Sequence, residues 1–240
     1  MKISDEGSQF WNRAIHDIRS ALRRISISAE CAQLGLDHSD QPDSIRASIR
    51  GVREGADVMG RILTAISDYS ASATVSYYSF QTVTSDQVLQ DALTTLRGRV
   101  QDTGAKITHG PMPKVTGDHD KLAQVFVLLI ENAILYAGNR VPEVEVRGTE
   151  EAGLVTFCVS DRGIGIPAAY EARLFTPFYR LHGAEIPGVG LGLATCRQIV
   201  ELHGGRIWFR SEPGSTDFLF TIPAAATSPN GVGQELPARP

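Results

Sequence analysis

The chain has 240 residues, 42% of them apolar, and a formal charge of −4. That length allows one large domain or two small ones with a real core. The acidic balance excludes a general nucleic-acid footprint, no apolar run approaches the ~18 residues of a membrane span, and the polar start Met1-Lys-Ile-Ser-Asp-Glu excludes a signal peptide.

In chain order, the first seventy residues carry a heptad. Trp11, Ile15, Ile18, Leu22, Ile25, Ala29, Ala32 and Leu36 step by four and three, as do Ile45, Ile49, Val52, Ala56, Met59, Leu63 and Ile66. Such steps draw a narrow apolar seam along each helix. The break Asp37-His-Ser-Asp-Gln-Pro-Asp43 between them puts a proline near the start of the second helix. The pattern predicts a hairpin of two long antiparallel helices over residues 1–72. Two helices cannot enclose a core, so a second copy completing a four-helix bundle, a homodimer, is expected.

A Ser- and Ala-rich stretch, 73–80, reads as a linker. Asp86–Asp102 predicts one amphipathic helix with Val88, Leu89, Ala92, Leu93, Leu96 and Val100 inward. Ala105–His109 reads as a short strand and Asp118–Tyr136 as a strongly apolar helix. Val144–Arg147 and Leu154–Ser160 are predicted strands. Gly190–His203 is a predicted helix ended by Gly204-Gly205. Arg206–Ser211 and Asp217–Ile222 predict a closing hairpin across Glu212-Pro-Gly-Ser215. The expected fold class is α+β: the N-terminal hairpin, then an α/β sandwich over 81–223, one mixed sheet with helices on one face. Residues 224–240, rich in Pro, Gly and Ala, are an expected disordered tail. Cys31, Cys158 and Cys196 are odd in number and lie in apolar patterns, as the reduced core thiols of a cytoplasmic protein do.

Two glycine turns carry the chemistry. Asp161-Arg-Gly-Ile-Gly-Ile-Pro167 is followed by Gly188-Val-Gly-Leu-Gly-Leu193, which opens a helix. Glycines allow close backbone approach, and a helix start offers unpaired N–H groups to a phosphate. A carboxylate among glycines accepts a hydrogen bond from an exocyclic amine such as that of adenine. Together they outline a nucleotide site. No GxxxxGK[ST] run exists, and Gly188-x-Gly190-x-Gly192 is not the GxGxxG of a dinucleotide fold. On the first helix, His16 lies one position past Ile15, beside the seam, and is followed by Asp17. A carboxylate next to an imidazole orients it and takes its proton; alone, such a pair is more often part of a solvated stripe. His38, His109, His119, His182 and His203 have no metal-ligand spacing. Arg19, Arg23 and Arg24 read as a solvated face.

Taken together these boxes resemble the sensor histidine kinases. His16-Asp-Ile-Arg-Ser-Ala-Leu22 resembles the phosphoacceptor box and Glu131-Asn132-Ala133 the N box. Asp161–Pro167 resembles the G1 box, Leu174-Phe-Thr-Pro-Phe-Tyr179 the F box, and Gly188–Leu193 the G2 box, all in the family's order over roughly residues 8–222. Asp102-Thr-Gly-Ala-Lys-Ile107 and Pro113-Lys-Val-Thr-Gly-Asp118 are most similar to kinases of the phytochrome type. The resemblance implies a dimerisation and phosphotransfer hairpin joined to a Bergerat-type ATP-binding domain. It implies that Asp161 holds the adenine amine while Gly163 and Gly165 let the backbone pass the base. Asn132 is implied as Mg²⁺ ligand, and Gly188, Gly190, Leu191, Gly192 and Leu193 as the phosphate cradle, with a short lid between Tyr179 and Gly188. His16 is the implied acceptor of the γ-phosphoryl group, Asp17 its base, and Ser20 the residue positioning a hydrolytic water. The implied cofactors are ATP and Mg²⁺. The implied partners are a second copy, a response regulator receiver domain and an upstream sensor protein, with neither nucleic acid nor membrane insertion.

Departures from the family's pattern bear on activity. Leu128 stands where a second Asn is usual and Leu135 where a Lys is usual; neither helps neutralise phosphate charge. Ala21 replaces a proline and Arg162 an asparagine. The alternative reading is therefore a histidine phosphotransferase or pseudokinase of the same architecture. A clamp or mismatch-repair-type ATPase on the same nucleotide fold has no use for a His-bearing heptad hairpin.

Overall fold

The computed structural model describes residues 3–37, 42–73, 80–170, 172–181, 186 and 188–225. Most of the interhelix break and of the expected linker, much of the expected lid, His38, His182 and nearly all of the expected tail lie outside the described residues. Helices α1 (Ile3–Asp37) and α2 (Pro42–Ser72) form the antiparallel N-terminal hairpin. Its internal contact takes in one line of the heptad stripe read from the sequence, with Ile18, Ile25, Val52 and Met59 half-buried, and leaves the other line out. Ala14, Ala21, Gly55 and Ile62 are buried, whereas Trp11, Ile15, Leu22, Ile49 and Leu63 are exposed. Small residues decide this. A Cβ on Gly51 would strike the Ser28 side chain, and one on Gly55 would strike Ile25. At Gly51 and Gly55 the helices approach too closely for any larger side chain. The larger apolar residues are left on the flank as a second stripe. Cys31 is exposed on α1, so it is not a core thiol; Cys158 is half-buried and Cys196 buried.

The remainder is β1 (Gln81–Thr84), α3 (Ser85–Thr95), α4 (Arg97–Thr103), β2 (Lys106–His109), β3 (Lys114–Gly117), α5 (His119–Leu135), β4 (Glu143–Glu151), β5 (Leu154–Asp161), α6 (Gly192–Leu202), β6 (Ile207–Glu212) and β7 (Ser215–Pro223). Five strands run in the order β2-β4-β5-β7-β6, with β2–β4 parallel and the other pairs antiparallel. Strands β1 and β3, absent from the sequence reading, form a separate antiparallel pair. The expected helix over 86–102 is two. It breaks at Leu96, where Thr94 and Thr95 hydroxyls have turned back onto the Gln90 and Asp91 carbonyls at 2.9 and 3.1 Å.

Helices α3, α5 and α6 cover one face of the sheet. Along β5, Val155, Phe157 and Val159 point inward with period two. Phe126 of α5 stands edge-on to Phe157 at 5.4 Å and to Phe220 of β7 at 5.5 Å, and the two strand residues meet at 5.0 Å. Asp118 caps α5 by accepting from the Lys121 N–H at 3.1 Å. His203 has a structural part. Its Nε2 accepts from the Asp118 N–H, its Nδ1 lies 2.7 Å from the Ile199 carbonyl, and it stacks on Phe80. Burial pushes its pKa down, holding the ring neutral as this bonding requires.

The hairpin packs on this α/β layer. Ala14, Phe178 and Leu191 form a buried cluster with Phe10, Ala65, Ile66, Tyr69 and Val189 against it. Ser72 donates to the Gln198 side chain at 2.5 Å, and Lys121 Nζ donates to the Ala71 carbonyl. No helix among the described residues is long and apolar enough to cross a membrane.

Candidate functional site

A cavity of about 520 Å³ opens between α5, the end of β5 and the start of α6. Its position follows from the fold. β5 delivers Asp161 at its C-terminal end, where the chain must turn, and β7 sets Thr216 opposite it as cross-strand partner. Asp161 is 6% exposed. One carboxylate oxygen accepts from the Gly163 N–H at 2.8 Å, leaving the other for a ligand. Burial pushes its pKa up to about 6, with Asp217 adding to the rise and the Gly163 N–H opposing it. Gly163 is not on the cavity wall. It packs behind Asp161, where a Cβ would strike the Tyr136 carbonyl. Gly165 and Gly190 both have positive φ, 76° and 78°, which other residues rarely adopt.

At the other end stand Asn132 of α5 and the first turn of α6. Leu191 occupies the N-cap without a side-chain cap bond, so the helix start presents its N–H groups uncapped. Gly188, Gly190, Leu191, Gly192 and Leu193 line this end together with Asn132. Leu128 and Leu135 line it too, and Leu128 Cδ2 lies 3.6 Å from where a Cβ on Gly192 would stand. The wall next to α6 is therefore apolar at Leu128 and Leu135, where the family's pattern has metal- and phosphate-binding side chains. The Asn132 amide nitrogen is buried with no partner among the described residues. Burial raises the pKa of the adjoining Glu131, and Arg99 opposes the rise. Arg162 faces Glu143 at 3.6 Å, off the cavity wall.

His16, Asp17 and Ser20 lie on α1 and do not line the cavity. The His16 side chain is 79% exposed, with Nδ1 3.1 Å from Asp17 Oδ1. That contact favours the tautomer with the proton on Nδ1 and leaves Nε2 as a bare nucleophile. The Ser20 hydroxyl donates to the His16 carbonyl at 3.0 Å, so it is directed at the backbone and not at the imidazole. Phe178 is buried against the hairpin, at φ 59° and with Arg13 donating to its carbonyl. The sequence reading missed the apolar wall of Tyr136, Ile164 and Phe218, and the arginines Arg61 and Arg99. Strand register and hairpin docking bring these in, and no local pattern announces them.

The Asp161 carboxylate predicts a pH dependence. An amine donor bonds better to the ionised form, so nucleotide binding expels a proton and affinity falls as pH drops through about 6. Unliganded stability moves oppositely. The folded-state pKa lies above the unfolded one, so stability falls as pH rises from about 4 through about 6. Asp161→Asn keeps the acceptor for Gly163 and removes the buried charge. At pH 8 it is expected to raise Tm while lowering ATP affinity at least about tenfold, measured by calorimetry and thermal unfolding on one sample. Unchanged ATP affinity would take Asp161 out of the site.

Residues 117–226 match the family described as histidine kinase-, DNA gyrase B-, and HSP90-like ATPase. The phytochrome-like protein Cph1 of Synechocystis sp. is 34% identical over 215 residues, 88% of this chain and 28% of the relative. The adaptive-response sensory kinase SasA of Crocosphaera subtropica is 31% identical over 221 residues, 87% of this chain and 57% of the relative. The chain thus spans 28% of the length of its phytochrome-like relatives. In fold it is similar to histidine kinase ThkA, solved in complex with the response regulator protein TrrA. The TM-score is 0.71 at 20% identity, over 95% of this chain and 64% of that one. The chain carries a domain of the histidine kinase-, DNA gyrase B- and HSP90-like ATPase family over residues 117–226, and its homologues are phytochrome-like proteins and histidine kinases.

Proposed function

We propose that this chain is a histidine kinase core with two parts, a dimerising phosphotransfer hairpin over 1–72 and an ATP-binding domain over 81–223. ATP is the phosphoryl donor, His16 the acceptor, and an aspartate of a response regulator receiver domain the final recipient. The observation that carries this is one cavity with a buried carboxylate at one end and an uncapped helix start at the other, docked on the hairpin that bears an exposed histidine. In the reaction the Nε2 lone pair forms the N–P bond, the bond from the γ-phosphorus to the bridging oxygen breaks, and ADP leaves. Asp17 takes the Nδ1 proton that the phosphorylated ring no longer holds tightly.

Mg²⁺, when bound, neutralises phosphate charge. The wall offers it two hard oxygen donors, the Asn132 amide and the Glu131 carboxylate. That fits an ion which keeps several waters and takes phosphate oxygens. Leu128 and Leu135 favour a second reading, in which the hairpin relays phosphate and the nucleotide site is weak or inactive. Labelling with γ-labelled ATP, in wild type and His16→Ala, separates the two.

The hairpin's exposed stripe supports the homodimer. Ile15 and Leu22 of α1, and Ile49 and Leu63 of α2, are each between 44% and 54% exposed. Ile15→Asp with Leu22→Asp places two uncompensated charges per copy in that interface, at about 3–5 kcal/mol each. The variant is expected to sediment as a folded monomer and wild type as a dimer. A compact wild-type monomer at micromolar concentration would defeat the dimer.

A further inference from the structure

We propose that Arg61 of α2 and Arg99 of α4 are the phosphate-binding cations of the nucleotide site, doing from two other elements what a polar side chain at position 135 of α5 would do. The inference rests on the nucleotide reading above. Both arginines line the cavity that Asp161, Asn132 and the α6 start also line. Neither has a hydrogen-bond or ion-pair partner among the described residues, so both guanidinium forks are available. Arg180 also lines the cavity, but its guanidinium donates to the Ile186 carbonyl.

The placement of Arg99 adds to this. Its field reaches Glu131, the residue before Asn132, which places it toward the Asn132 end of the cavity. A triphosphate extending from an adenine at Asp161 toward the α6 start runs to that end. Leu128 and Leu135 supply no charge there. An unpaired arginine suits a phosphate, because its planar fork donates two parallel hydrogen bonds. Arg61 adds a coupling. It belongs to the hairpin, which the Phe10, Ala14, Phe178 and Leu191 contacts hold on the nucleotide layer. A phosphate that binds Arg61 therefore also holds α2, and with it α1, against the site, so nucleotide binding and hairpin docking support each other.

The test measures ATP and adenosine affinities of the whole chain by calorimetry. Arg61→Ala and Arg99→Ala are each expected to weaken ATP binding about tenfold, and the double variant about a hundredfold, with adenosine affinity unchanged. Arg99→Lys should retain most of the affinity, and Leu135→Lys should restore it to Arg99→Ala. ATP binding that survives both alanine substitutions overturns this inference alone. Equal losses for ATP and adenosine overturn it too, since they report damage to the pocket. Failure of wild type to bind either ligand overturns the nucleotide reading and this inference with it.

Discussion

Wild-type protein incubated with γ-labelled ATP and Mg²⁺ is expected to acquire acid-labile, base-stable label, and His16→Ala to acquire none. The expectation follows from the geometry at His16. His16 is exposed, Asp17 fixes its tautomer, and Nε2 is free to meet a phosphorus. Removing the nucleophile removes the covalent product altogether, which makes this the largest single effect. The rate in wild type is expected to be low. Leu128 and Leu135 line the cavity where polar side chains would neutralise charge, and one such interaction is worth roughly 10²–10³ in rate. Leu128→Asn with Leu135→Lys is accordingly expected to raise the initial labelling rate at least about tenfold. If instead ATP leaves no label and a phosphorylated receiver domain labels His16, the chain is a relay. Label that persists in His16→Ala, or no transfer in either direction, would refute both readings.

Phe126→Ala is expected to be the most damaging substitution remote from the chemistry. Phe126 is 1% exposed and contacts Phe157 and Phe220 edge-on, so its loss opens a cavity between α5 and the sheet. Such truncations cost about 3–5 kcal/mol, a large share of the ~5–15 kcal/mol that holds a domain together. The functional consequence comes through α5. That helix packs by Phe126 and carries Asn132 six residues on, so loosening one shifts the other. A denaturant titration should show a lower midpoint, partly recovered at saturating ATP because ligand binds only the folded form. Loss of nucleotide binding with an unchanged midpoint would show that Phe126 does not act through packing.

Much of the site is legible in the linear chain because its requirements are local. Gly165 and Gly190 sit where the backbone takes positive φ, and a helix start after Gly190 needs only the apolar repeat that follows. The α5 and β5 patterns likewise reveal their buried faces, since burial on one side leaves a period of 3.6 or 2 in sequence.

The sequence by itself determined the order of the hairpin, α5, α6 and the five strands of the main sheet, the nucleotide-type turns, the histidine on its helix and the two leucines that dilute the site. Tertiary structure alone decided which apolar line of the hairpin faces inward. Trp11, Ile15, Leu22, Ile49 and Leu63 of the seam are outside, while Ile18 and Ile25 join Ala14, Ala21, Gly51 and Gly55 at the contact, because close helix approach rewards small size and both lines share one repeat. It also decided that Thr216 faces Asp161, that Arg162 turns away to Glu143, and that Arg61 and Arg99 stand on the cavity wall. Each of these depends on strand register or on the docking of distant elements, and contacts between residues far apart in the chain leave no periodicity to read.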